Sequence, residues 1–447
     1  MAPIACGQYY WVNMLAPSRY KKFLSYIVGC LTSLAWISTV AIECLLAGTI
    51  IQGLSKLNYP TYDLKPWEGT LLTWAVIAVG IFINVVIPNW LPTLEVTILV
   101  LHLVGFVAIV ATLLSTAELG SASSVWLTAF NGGGWPSQGL SFCVGFLGNI
   151  ATFVGGDAGM HLAEEVVNAQ LTIPRAICTS MIVDGIVGFA MMVTILYCLG
   201  DVNSVLQTPT KFPFIQIFSN SVKSVGGAIG MSVVVLVLTW GCSTGILTTA
   251  SRMTWAFARD HGTPFSRYLS KVSDRHRIPI VSVLTVSVFA GLLVLIYIGS
   301  DVAFDDVISL TITGFYGSYL LPCALLLYHR VKGHIRPRGN QGLEQAAQVP
   351  LANVGIQAAP EIDNASPESR FVWGPWRLPN IVGIMNNAYA CVYMTYVIFW
   401  SVWPPATPVS ANTMNYSIVV TGGVMILSGI WYMVRGHREY DGPVVEI

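Results

Sequence analysis

Ten stretches of this chain are apolar for long enough to cross a bilayer, which takes roughly 17 to 25 residues of helix. They fall near 23 to 52, 70 to 87, 93 to 114, 139 to 163, 176 to 199, 226 to 250, 279 to 298, 304 to 328, 380 to 403 and 412 to 434. In hydrocarbon each backbone N–H and C=O must find its partner within the protein, and helices satisfy that locally. The pattern therefore predicts an all-α, polytopic membrane helix bundle. Only 10% of the 447 residues are charged, against about a quarter in soluble domains.

An even number of crossings puts both termini on one side, and the cations say which. One set of connecting segments holds Arg19, Lys21, Lys22, Arg175, the six cations from Arg252 to Arg277, six more from Arg330 to Arg377, and Arg435 and Arg438. The opposite set holds Lys56, Lys65, Lys211 and Lys223. Eighteen against four predicts cytoplasmic termini. No cleavable signal peptide is visible in residues 1 to 20, which Gly7, Gln8, Asn13 and Pro17 interrupt. The nine cysteines form no CxxC pair and fall almost entirely within apolar stretches, so neither disulfide nor metal is predicted. Zero formal net charge gives no reason to expect nucleic acid.

The fourth stretch is unlike the rest. QGLSFCVGFLGNIATFVGGDAGMHLAEEVV begins as a spanning helix and breaks midway at Gly155, Gly156 and Asp157. An unwound stretch inside a bilayer leaves polar backbone that must face protein or a wet cavity, so such breaks mark substrate and ion sites. A glycine kink with Asp157 capping the second half-helix is the alternative. The two are compatible, since the start of a half-helix is itself polar.

Other residues are candidates by position. Glu164 and Glu165 sit about two turns beyond Asp157, where Arg252 and Arg259 of SRMTWAFARD can meet them as a cytoplasmic gate; ordinary charges at a helix end are the competing reading. Glu43, His102, His161 and Asp184 are ionisable within spans, where such residues are functional candidates. Glu43 suits a cationic substrate, or is simply protonated by burial. Asp184 and His161 are proton-coupling candidates, with a structural histidine as the alternative for His161. Trp240, Ser243, Thr244 and Tyr316 are candidates for the cavity wall, and aromatic faces suit a quaternary ammonium. Residues 331 to 370 are polar, rich in Pro, Gly, Gln and Ala, and predict a mobile cytoplasmic loop. The segment 201 to 225 is expected to hold a short surface helix.

FVGGDAGMHLAEEVVNAQLTIPRAI resembles the signature of the amino acid, polyamine and organocation permeases. GQYYWVNMLAP, SRMTWAFARDHGTPFS, GFYGSYLLPCALLLYHR, GPWRLPNIVGIMN with WPPATPVSANTMNYSIVVTGG, and REYDGPVVE follow in the family's order. Together they are most similar to the fungal branch that carries choline, 4-aminobutyrate (GABA) and amino acids. The resemblance implies a permease fold of two inverted five-helix repeats, with substrate held between breaks in the family's first and sixth spans. This chain's first stretch would then be the family's third and its fourth the family's sixth. The family's first span and nearly all of its second are expected to be lacking, with Met1 standing at an internal methionine.

On that mapping residues 1 to 22 are the remainder of a lost helix, 23 to 114 an incomplete first repeat, 139 to 328 a complete second repeat, and 380 to 434 two terminal helices. Phe153 stands where the family has an aromatic gate over the substrate, a core aromatic being the alternative, while Val154, Gly155, Gly156 and Asp157 would line the site. The expected function is secondary transport of an amino acid or small amine such as GABA or choline, driven by H⁺, in a plasma or internal membrane. Membrane lipid is the other expected partner, and no cofactor is implied. A non-transporting sensor or remnant that keeps the fold is the second reading. An enzyme lacks support: HExxH, GxSxG and metal-spaced His and Asp clusters do not occur.

Overall fold

The computed structural model describes residues 3–274, 277–336, 371–410 and 413–444. Its helices are α1 (Gln8–Leu15), α2 (Lys21–Asn58), α3 (Pro66–Val85), α4 (Leu91–Thr116), α5 (Ala122–Trp126), α6 (Gln138–Ala151), α7 (Ala158–His161) and α8 (Ala169–Tyr197). After these come α9 (Val202–Leu206), α10 (Pro213–Val222), α11 (Val225–Arg259), α12 (Ser266–Leu269), α13 (Ile280–Val294), α14 (Ile296–Gly299) and α15 (Asp301–Val331). Helices α16 (Asn380–Ser401), α17 (Ser417–Trp431) and α18 (His437–Glu439) close the chain. Nine helices among the described residues are long and apolar enough to cross a membrane, and the tenth expected crossing is the interrupted one, of which α6 is the first half. The expected short helix between 201 and 225 is α10, which Pro213 opens at a position needing no N–H.

Helix α2 is the axis of the bundle. Its 38 residues give a rod of about 57 Å at 1.5 Å per residue, and α1, α3, α11, α13 and α15 all pack on it. Trp36, Val40, Ala41 and Ala47 are buried along it. Its hydroxyls stay within the helix: Thr32, Thr39 and Thr49 donate to the carbonyls of Val28, Ala35 and Leu45 at 2.7–2.8 Å. Such back-bonding lets a polar side chain sit in an apolar medium without an orphaned donor. Close approach to α3 depends on Gly48, where an added Cβ would lie 2.8 Å from the backbone nitrogen of Thr73. At the periphery the packing reverses. Ile182, Ile186 and Phe189 of α8 are more than half exposed, an apolar face suited to acyl chains rather than water.

At one end of the bundle the first and last described segments lock together. Tyr440 is fully buried and its hydroxyl lies 2.6 Å from Ser25 Oγ. Asp260, just past α11, accepts from the Val444 N–H at 3.0 Å, the Tyr9 hydroxyl at 2.7 Å and the Cys6 thiol at 3.4 Å. Lys22 pairs with Asp441 at 2.9 Å.

The expected loop over 331 to 370 needs a correction at its edges. Helix α15 runs to Val331, and Ile335–Arg336 pairs in parallel with Phe371–Val372. Two residues per strand carry no alternating pattern that could reveal this pairing. Residues 337–370 lie outside the described residues.

Candidate functional site

Ser137 caps α6 by accepting from the Leu140 N–H at 3.3 Å, and the helix stops at Ala151. Residues 152 to 157 are turns, and Gly155 takes φ +85°, a left-handed conformation that a residue with Cβ avoids. Helix α7 then runs for only four residues before a 3₁₀ turn at Ala163–Glu165. The crossing is therefore broken where the glycine pair predicts. Among the described residues, the N–H groups of Gly155, Gly156 and Asp157 donate to no backbone carbonyl.

Asp157 does not cap α7, which corrects the capping alternative: no N–H of that helix donates to its side chain. The carboxylate turns into the bundle instead, where it accepts from the Tyr319 hydroxyl at 2.5 Å and from the Gln8 side-chain amide, and lies 3.3 Å from His161 Nε2. His161 is buried. Its Nδ1 lies 2.7 Å from the Ala5 carbonyl, which can only accept, so Nδ1 carries a proton. Its Nε2 faces both the Trp36 indole N–H, at 3.1 Å, and Asp157. A proton on Nε2 would favour Asp157 and displace the indole hydrogen bond.

A cavity of about 550 Å³ opens against the break, between α2, α4, α11 and α15. Glu43, Val154 and Gly155 line it, together with Trp36, Glu95 and Thr249. Neither Glu43 nor Glu95 has a hydrogen-bond or ion-pair partner among the described residues. Glu95 was not among the expected residues, although a carboxylate inside an apolar stretch is a signal. Gly245 makes room for it: a Cβ there would lie 2.6 Å from Glu95 Oε1.

Other expected wall residues lie elsewhere. Phe153, Gly156 and Asp184 border a second cavity of about 350 Å³, on the far face of the break. Asp157 sits behind both walls with its three neighbours. Trp240, Ser243 and Tyr316 are corrections too. Ser243 is buried and donates to the Trp240 carbonyl at 2.8 Å, Trp240 packs into the core, and the Tyr316 ring meets Tyr319 and Tyr393 edge to face. The face of α11 turned to the cavity carries Cys242, Gly245, Ile246, Thr248 and Thr249. Each residue turns a helix by about 100°, so an error of one position moves a side chain off the wall. Thr244 is buried, donating to the Trp240 carbonyl at 3.1 Å, and His102 is half-buried on α4.

The two expected charge pairs form. Arg252 Nε lies 3.2 Å from Glu165 Oε1, and Arg259 reaches both oxygens of Glu164 at 3.3 Å through Nη1 and Nη2. Arg259 also lies 4.6 Å from the Trp255 ring centre, which fixes the guanidinium plane. The pairs tie the turn after the break to the end of α11.

A bundle of membrane-length helices around one broken crossing, with a cavity against the break, has the architecture of a helix-bundle membrane transporter. The chain belongs to the amino acid permease family, whose sequence model matches residues 1–424. It is 29% identical over 93% of its length to an amino acid/polyamine transporter of Macrophomina phaseolina, covering 84% of that protein. A choline transporter of Saccharomyces cerevisiae is 26% identical over 98% of the chain and 71% of its own length. A GABA-specific permease of the same yeast is 25% identical over the whole chain and 73% of its own length. The chain is a multi-pass integral membrane protein of a transporter family.

Proposed function

We propose that this protein is a secondary transporter that carries a small amine, an amino acid, choline or GABA among them, and that H⁺ drives it. The observation that carries the reading is the 550 Å³ cavity, where the carboxylates of Glu43 and Glu95, without a partner among the described residues, share a wall with the unwound backbone at Gly155. A cationic amine finds opposite charge there and an aromatic face on Trp36. The carboxylate of an amino acid finds the backbone N–H groups of the break at the start of α7, where the helix dipole adds to them. Relatives in yeast described as choline and GABA carriers support the same substrate range.

On this reading the eighteen cations mark the cytoplasmic side, so the Glu164–Arg259 and Glu165–Arg252 pairs form a gate toward the cytoplasm. They part when the site opens inward. His161 with Asp157 is the proton-coupling pair, because a proton on Nε2 exchanges the Trp36 bond for the carboxylate and so shifts a residue of the cavity wall. Asp184, in the second cavity, is a further proton position.

The test is uptake of labelled choline, GABA and a panel of amino acids by permease-deficient yeast expressing this chain. Saturable uptake of at least one, faster at about pH 5 than at about pH 7.5 and stopped by a protonophore, is expected. A chain that reaches the membrane, binds a panel compound and carries none of them would be a sensor instead.

A further inference from the structure

Helix α17 carries a bare apolar stripe toward the end of the chain. Ile426, Leu427, Ile430, Met433 and Val434 are 47–68% exposed, and their spacing of three and four puts them on one side of the helix and its continuation. The stripe stops at Arg435, the first charge after the tenth apolar stretch. There a third cavity opens, of about 530 Å³, between the foot of α17 and the connection that carries α12. It is separate from the two at the break.

Two cations line this cavity with donors to spare. Arg267 of α12 is exposed and forms no hydrogen bond or ion pair among the described residues. Arg435 gives Glu439 its Nε alone, at 2.7 Å. The described wall therefore sets two arginines against one carboxylate. Aromatic side chains supply much of the rest. Phe265 is 79% exposed and Tyr268 59%, while the Trp431 ring centre lies 6.0 Å from the Arg435 guanidinium carbon. Phe265 also takes φ +59°, which a bulky side chain rarely does. Bulk water suits the charges but not the rings, and hydrocarbon the reverse. The headgroup layer of a bilayer accommodates both.

We infer that this cavity seats the headgroup of an anionic phospholipid, whose acyl chain lies along the α17 stripe. Guanidinium groups match phosphate oxygens in pairs, and basic pockets between helix ends select anionic headgroups. A free phosphate compound would leave the stripe bare, and a zwitterionic lipid brings no net charge to offset the second arginine. Glu439 directly precedes Tyr440, the residue buried against Ser25, so the lipid sits at the root of the segment that closes that end of the bundle. The inference does not depend on the transported substrate.

The test titrates the purified full chain in non-ionic detergent with dioleoyl phosphatidylglycerol, dioleoyl phosphatidylcholine or glycerol 3-phosphate and counts bound molecules by native mass spectrometry. Saturable binding of one phosphatidylglycerol is expected, at least about fivefold tighter than phosphatidylcholine, with no binding of glycerol 3-phosphate at the same concentrations. Arg267→Gln breaks no hydrogen bond or ion pair among the described residues and should weaken phosphatidylglycerol binding about fivefold, the worth of one basic residue near an anionic headgroup. Arg435→Gln should act in the same direction. Arg175→Gln, which removes an exposed cation on α8, should leave binding unchanged. Equal affinity for the two lipids, tight binding of glycerol 3-phosphate, no loss in Arg267→Gln, or an equal loss in Arg175→Gln overturns the inference.

Discussion

Tyr319 donates its hydroxyl hydrogen to Asp157 at 2.5 Å, joining the eighth apolar stretch to the broken fourth across 162 positions of sequence. The carboxylate that seems from the sequence to belong to its own helix end is held by another helix. Tyr319→Phe should lower stability by about 1.5–3 kcal/mol, the range for a hydrogen bond to a charged group. Tyr316→Phe, three positions earlier and off Asp157, should cost less. Paired thermal unfolding of the two variants decides, and equal losses would count against the role assigned to Tyr319.

If Glu43 and Glu95 together balance a cation, removing either charge should discriminate between substrates. Glu43→Gln is expected to raise KM for choline about tenfold, the equivalent of about 1.4 kcal/mol, with a smaller effect on a zwitterionic amino acid. Glu95→Gln should act in the same direction. Unchanged preference between choline and amino acids in both variants would remove the carboxylates from recognition.

The glycine pair separates two kinds of constraint. Gly155 has φ +85°, so Gly155→Ala strains the backbone by roughly 1–2 kcal/mol wherever its methyl group points. At Gly156 the obstacle is the tip of a flexible side chain, since a Cβ would fall 1.8 Å from Met181 Cε. Trimming Met181 to Ala should therefore restore melting to Gly156→Ala and fail to restore it to Gly155→Ala.

For the gate, a double-mutant cycle on uptake is the measurement. Arg259→Glu and Glu164→Arg should each impair transport, and the swapped double variant should recover. A coupling of about 1 kcal/mol, or roughly fivefold, is expected for a partly exposed pair. Additive losses would show that the pair does not act as a unit.

Burial raises the Asp260 carboxyl above the ordinary carboxylate value, while the Val444 N–H, the Tyr9 hydroxyl, the Arg259 charge and the Cys6 thiol act against it. A folded-state pKa above the unfolded value of about 3.9 means that the folded protein binds this proton more tightly. The associated stability is full below that unfolded value and is lost as pH rises through the folded one. Melting of wild type minus melting of Asp260→Asn should accordingly fall as pH rises from about 4, the unfolded value. A difference that grows as pH rises would reverse the assignment.

What could be read from the sequence follows physical range. Crossing positions need only local hydropathy, so the ten stretches and the glycine break were legible. Glu164 and Glu165 with Arg252 and Arg259 were legible because opposite charges at the ends of adjacent helices have few other partners in a bundle. Glu43 was legible as a carboxylate deep in an apolar stretch, and Glu95 carried the same signal closer to a helix start, where it reads as interfacial. The wall of α11 was not, because choosing Ser243 over Cys242 requires the rotation of the helix about its axis, which its neighbours set. Nor were the partners of Asp157. Gln8 and Tyr319 approach it from distant segments, and no periodicity connects them.

The parallel pairing of Ile335–Arg336 with Phe371–Val372 makes neighbours of two points that the chain visits far apart. It acts as a clasp at the neck of the intervening segment, so changes of length within 337–370 need not alter the spacing of α15 and α16. A reporter domain spliced there would hang from the clasp, and the bundle could carry it as freight without repacking a helix.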